Sequence, residues 1–99
     1  MPVFNVVRFR VRPGRDEAFL AAHSDGRAKW PGLQRGTIIR TGEGTYCLIG
    51  EWPDPDALTA AGASMIATLD TFRDTLEDQG NGLGVTDAVS GAAVLELTE

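Results

Sequence analysis

His23 is the only histidine in the chain, and therefore the only side chain whose ordinary pKa lies near neutrality. On a helix, facing the same side as Phe19, it could serve as general base for a phenol or enediol whose anion gives an electron to dioxygen. The competing reading is a surface or satisfied core histidine. Asn5 interrupts an otherwise apolar strand face (Val3, Val7, Phe9, Val11) and could donate a hydrogen bond to a developing oxyanion. An amide there must be satisfied somehow, so a bond to an adjacent backbone group or to the glycine-rich loop is the alternative. Trp52 and Trp30 offer flat apolar walls, each with an N–H donor, suited to a planar ligand; core packing accounts for them equally. Tyr46 shares the face of Trp52 by strand alternation and could orient a ligand oxygen, although a plain structural tyrosine is the simpler reading. Met65 completes the substrate-binding candidates, although its spacing also places it, with Phe72, in a helical core stripe.

Other chemistries lack their residues. Gly80, Gly82 and Gly84 follow a helix and precede no Lys-Ser/Thr pair, so they make neither a phosphate-binding loop nor a dinucleotide fingerprint. No Cys, His and Asp spacing makes a zinc site, and one His and one Cys on different elements give nucleophilic catalysis no support. No metal or nucleotide cofactor is implied. Arg8, Arg10 and Arg12 could clamp an anion, but a solvated or inter-subunit face explains them more simply. A formal net charge of −5 opposes phosphate backbones, so no nucleic-acid partner is expected. The lone Cys47 suits a reducing compartment. With no leader pattern and no apolar run long enough to span a bilayer, the chain reads as cytoplasmic, with no membrane partner.

The 99 residues make one domain, 1–99, with 42% hydrophobic and 23% charged residues, as in ordinary globular proteins. Residues 3 to 11 alternate as a strand that Pro13-Gly14 ends. A first helix follows from Arg15 to His23, continuing to Trp30 if it survives Gly26, with Pro31-Gly32 as its stop. Leu33 to Thr41 is a second strand, joined by a glycine-rich hairpin to a third from Thr45 to Trp52. Asp54 caps a second helix, Pro55 enters it, and the stripe Leu58, Ala61, Met65, Leu69, Phe72 and Leu76 carries it to about Asp78. A glycine-rich loop precedes a last strand from Val85 to Leu97, with a bend or bulge at Ser90-Gly91.

The order β-α-β-β-α-β predicts an α+β, ferredoxin-like fold: a four-stranded antiparallel sheet with two helices on one face. The opposite face would carry Phe4 and Val6. A homodimer stacked through that open sheet face is the economical way to cover them.

Val11 to Gly14, the acidic start of the first helix, the Pro31-Gly32 turn and Glu-Trp-Pro-Asp-Pro-Asp-Ala-Leu (Glu51 to Leu58) together resemble the antibiotic biosynthesis monooxygenase family of the dimeric α+β barrel superfamily. The resemblance spans nearly the whole chain. It implies a dimer whose two sheets form a barrel, and a substrate pocket in each subunit between sheet and helices. Trp52 matches the family's strand-end Trp, which lines the pocket of the haem-degrading branch. That branch also places an Asn on the first strand; Asn5 has its facing, while Val7 holds the strict position. Ala61, Gly62, Ala63 and Ser64 stand where the family's second-helix His and haem ligand would lie, which disfavours haem. The resemblance points to a cofactor-independent monooxygenase acting on a small planar phenolic or polycyclic substrate, with His23 and Asn5 catalytic. The alternative is a small-molecule-binding or scaffold dimer of the same fold without chemistry.

Overall fold

A computed structural model describes residues 1–24 and 30–97. Its four strands are antiparallel: β1 (Val3–Arg10), β2 (Arg35–Gly42), β3 (Thr45–Trp52) and β4 (Asp87–Ala92), in the spatial order β2-β3-β1-β4. β1 lies centrally, with Asn5 opposite Gly50 of β3 and Ser90 of β4. Its alternation is the expected one. Val3, Asn5, Phe9 and, just beyond the strand, Val11 are buried, while Arg8 and Arg10 are exposed.

α1 (Asp16–Ala21) opens on two acidic residues and buries Phe19 completely. It ends earlier than the sequence predicts. The backbone tightens, His23 N–H to Leu20 O at 3.1 Å and Ser24 N–H to Ala21 O at 3.2 Å, so His23 stands on a closing turn. The expected continuation past Gly26 falls outside the described residues.

The long second helix is in fact two, α2 (Pro55–Ala60) and α3 (Gly62–Phe72), followed by a 3₁₀ turn over Arg73–Thr75. Asp54 caps α2 as expected, its carboxylate accepting from Ala57 N–H at 2.8 Å. The helix stops short of Asp78 where threonine hydroxyls take its carbonyls. Thr71 Oγ1 donates to Thr68 O and Thr75 Oγ1 to Phe72 O, both at 2.6 Å. Leu76 still reaches the core, but from extended backbone that bridges to Val11.

β4 is likewise shorter than the predicted Val85 to Leu97. Its register against β1 runs unbroken from Asp87 to Ala92, with no bulge at Ser90-Gly91. The irregularity lies instead between Arg40 and Gly42 of β2. The helices pack on one face of the sheet, where Phe9, Phe19 and Phe72 meet edge to face with centroids 5.1 to 5.8 Å apart. The other face carries Phe4 and Val6, partly covered, with Ile39 and Val89 exposed. Among the described residues, no helix is long and apolar enough to cross a membrane.

Candidate active site

Asn5 is buried on the helix-facing side of β1, and Trp52 Nε1 donates to its Oδ1 at 2.8 Å. An indole nitrogen can only donate, so the amide orientation follows: the oxygen faces Trp52 and the NH2 faces away. On that side its hydrogen-bond partner is Met65 Sδ, at 3.9 Å, a weak acceptor. Gly50 makes the Asn5–Trp52 pair possible. A Cβ there would overlap Asn5 Oδ1 and sit 3.1 Å from Trp52 Nε1.

His23 is anchored in the same one-sided way. Its Nδ1 lies 2.9 Å from Phe19 O. A carbonyl can only accept, so Nδ1 carries the proton and Nε2 keeps a lone pair in the neutral ring. Phe9, Phe19, Phe72 and Trp30 surround the imidazole, with centroids 4.4 to 6.4 Å away. Burial among them pushes its pKa below the ordinary 6.5, the bond to Phe19 O opposing in part. Burial thus favours the neutral ring, with the lone pair on Nε2. Trp30 is held from behind, Nε1 donating to Thr68 Oγ1 at 2.9 Å, while that hydroxyl donates to Ser64 O at 3.1 Å.

Asn5, His23, Trp30 and Met65 line one cavity of about 270 Å³ between the sheet and α3. Its remaining walls are mostly apolar, from Val7, Phe9 and Leu48 on the sheet side to Leu69 and Phe72 on α3. No Asp, Glu, Lys or Arg lines it among the described residues. That composition suits an uncharged, flat ligand held by a few polar contacts. A wider groove of about 620 Å³ runs past the other side of His23, Trp30 and Leu48, beside Gln34 and Arg35. These three side chains border both spaces.

Two of the sequence candidates lie outside the cavity. Trp52 is completely buried and acts on it only through the amide it holds. Tyr46 is on the expected face of β3 but near its opposite end, where its hydroxyl donates to Asp16 Oδ2 and accepts from Arg40 at 3.0 Å. Both indole N–H groups are already engaged by protein, so neither is free to meet a ligand. Sequence reasoning missed Thr68, which holds Trp30, and the small residues Gly62, Thr86 and Ala88 that also border the cavity. Thr68 carries a signal: it falls three residues after Met65 on the apolar stripe of α3, where a polar residue must find a partner.

No protein-family model matches the chain, and no curated protein matches it by sequence. Solved structures do match. SnoaB, a cofactor-independent oxygenase from Streptomyces nogalater, superposes with a TM-score of 0.74 at 25% identity, over 99% of this chain and 98% of that one. A candidate antibiotic biosynthesis monooxygenase from Caulobacter crescentus CB15 gives 0.71 at 22% identity, covering 95% and 91%. Another from Nitrosomonas europaea gives 0.74 at 17%, covering 94% and 90%. The chain therefore shares the fold of these antibiotic biosynthesis monooxygenase structures along nearly its whole length.

Proposed function

We propose that the protein is a cofactor-independent monooxygenase that oxidises a small planar phenolic or polycyclic substrate in the cavity between the sheet and α3. The observation that carries this reading is that one cavity without charged lining residues, among those described, is bordered both by a histidine whose Nδ1 is taken by backbone, leaving Nε2 unprotonated, and by a buried amide whose oxygen is taken by Trp52. His23 Nε2 takes the proton of a phenol or enol, and an Asn5 N–H meets the charge left on oxygen. The anion gives an electron to dioxygen, and the two radicals combine at the activated ring carbon. Protonation from His23 makes a hydroperoxide. Loss of the carbon-bound hydrogen and cleavage of the O–O bond then leave a carbonyl and water. The sum is CH2 + O2 giving C=O + H2O; the substrate supplies all four electrons, so no external reductant enters.

The SnoaB likeness supports this chemistry, and the lining favours substrates without formal charge. We further propose that two copies stack through the face bearing Phe4, Val6, Ile39 and Val89, and that the protein works in the cytoplasm, where the thiol of Cys47 stays reduced. The test is oxygen uptake with hydroquinones and dihydroxyanthrones. His23→Ala is expected to lower the rate about 10²- to 10⁴-fold and Asn5→Ala about 10²- to 10³-fold. Variants as fast as the parent would remove both roles, and no uptake by the parent with any of these compounds would favour a binding protein.

A further inference from the structure

The amide that the cavity presents is under-satisfied. Asn5 is 8% exposed, its oxygen is taken by Trp52, and its NH2 meets the thioether of Met65 at 3.9 Å. Sulfur in a thioether accepts weakly; a sulfoxide oxygen accepts strongly. An oxygen added to Met65 Sδ on the side of the amide falls within hydrogen-bond distance of Nδ2. Met65 is only partly buried and lines a cavity that small solutes can enter.

We propose that Met65 is an oxidation site whose sulfoxide captures the Asn5 amide and so disarms the cavity. The oxidant is a hydroperoxide. A sulfur lone pair attacks one peroxide oxygen, the O–O bond breaks, an S–O bond forms, and the other oxygen leaves as water or alcohol after protonation. Sulfur loses two electrons and the peroxide gains them. The product sets a polar, chiral group among the apolar walls and offers Asn5 the acceptor that a bound ligand would otherwise supply. Reduction of the sulfoxide restores the open site. Capture of the amide is independent of catalysis; only its effect on turnover rests on the function proposed above.

The experiment treats ¹⁵N-labelled protein with hydrogen peroxide, alongside N-acetylmethionine in the same tube as a reactivity reference. Peptide mass spectrometry follows the added oxygen at Met65, and NMR follows the Asn5 side-chain amide, assigned as the signal that Asn5→Asp removes. The expected result is oxidation of Met65, a downfield shift of one Asn5 amide proton, slower exchange of that proton with solvent, and reversal by methionine sulfoxide reductase. Met65→Leu, of similar size, should show no such change under the same treatment. The proposal is overturned if Met65 stays unmodified after the reference is consumed. It is equally overturned if the oxidised protein leaves the Asn5 signals in place, or if Met65→Leu shows the same shift.

Discussion

Gly50→Ala adds one methyl group where the structure has no room for it. The new Cβ would overlap Asn5 Oδ1, so that atoms must move, and would stand 3.1 Å from Trp52 Nε1. Overpacking of this kind costs about 1–3 kcal/mol. If the amide yields, the indole N–H loses its acceptor in a buried place, which costs about 1–3 kcal/mol more. The combined range is roughly 2–6 kcal/mol, and its lower end alone lowers the unfolding midpoint of a domain this size by about 8–16 °C. The sign is diagnostic, because Gly→Ala at an unstrained, open position stabilises by about 0.4–1 kcal/mol. Gly62→Ala, at the start of α3 with nothing within 4 Å of the added carbon, is the control and should melt no lower than the parent. Asn5→Ala removes the overlap and leaves the 3.1 Å contact with the indole. In that background Gly50→Ala should cost at least about 1 kcal/mol less, a coupling that a double-mutant cycle reads from urea unfolding. Equal costs in both backgrounds, or a Gly50→Ala protein that melts with the parent, would refute the claim that this glycine exists to seat the Asn5–Trp52 pair.

Other residues give expectations of the same kind. Burial holds His23 below its ordinary 6.5. Among the described residues, no Asp, Glu, Lys or Arg lines the smaller cavity, and the one charged residue lining the wider groove is Arg35, a cation that opposes protonation as burial does. As pH falls through about 6.5 the unfolded chain therefore binds the proton first, so the stability that neutral His23 permits is full above that pH and lost below it. His23→Gln should flatten the urea midpoint over this window, and the acid limb of turnover should lie below 6.5; an unchanged pH slope would contradict the buried, neutral ring. Tyr46→Phe removes the hydroxyl shared by Asp16 and Arg40. It should cost about 1 kcal/mol in stability and leave oxygen uptake untouched, whereas a large loss of rate would return Tyr46 to the site. Val89→Asp puts a charge on the exposed sheet face opposite Val6, and light scattering should then show a monomer, against the dimer expected of the parent under the proposed stacking. A parent that is itself monomeric would sink the stacked arrangement.

Period-two alternation makes β1 and β3 legible, because each face of a strand is set by parity alone. It correctly puts Asn5, Trp52 and Tyr46 on the helix side. Parity does not give register. Only the pairing of Val3 with Trp52 and Asn5 with Gly50 brings the indole diagonally onto the amide, and only the opposite end of β3 brings Tyr46 to Asp16. The indole N–H groups therefore read as free in the sequence and are engaged in the fold. The apolar stripe of the second helix is equally plain, but it runs on through Leu76, whose burial does not require a helix. α3 ends where Phe72 leaves helical geometry, at φ −127° and ψ 9°, and Thr75 Oγ1 donates to its carbonyl, a local change that hydrophobic spacing does not register.

The polarity of the cavity is decided outside it. Trp52 can only donate, so it fixes Asn5 as a donor toward the cavity; Phe19 O can only accept, so it leaves His23 as an acceptor. A hydroxyl that becomes an oxyanion is the group that answers both, giving its proton to Nε2 and then accepting from Nδ2. Asn5→Asp isolates this point, because it keeps the shape and can still accept from the Trp52 indole. Once ionised, its second oxygen would face the cavity as a like charge to the developing oxyanion, and because burial without a cation in the described lining raises the carboxyl's pKa, the effect belongs to the alkaline side of the profile. Turnover should fall at least as far as in Asn5→Ala, by about 10²-fold or more, while the Trp52 N–H resonance shows the internal bond still made. An Asn5→Asp protein that turns over as fast as the parent at a pH where its carboxyl is ionised would show that the amide donates nothing to the reaction.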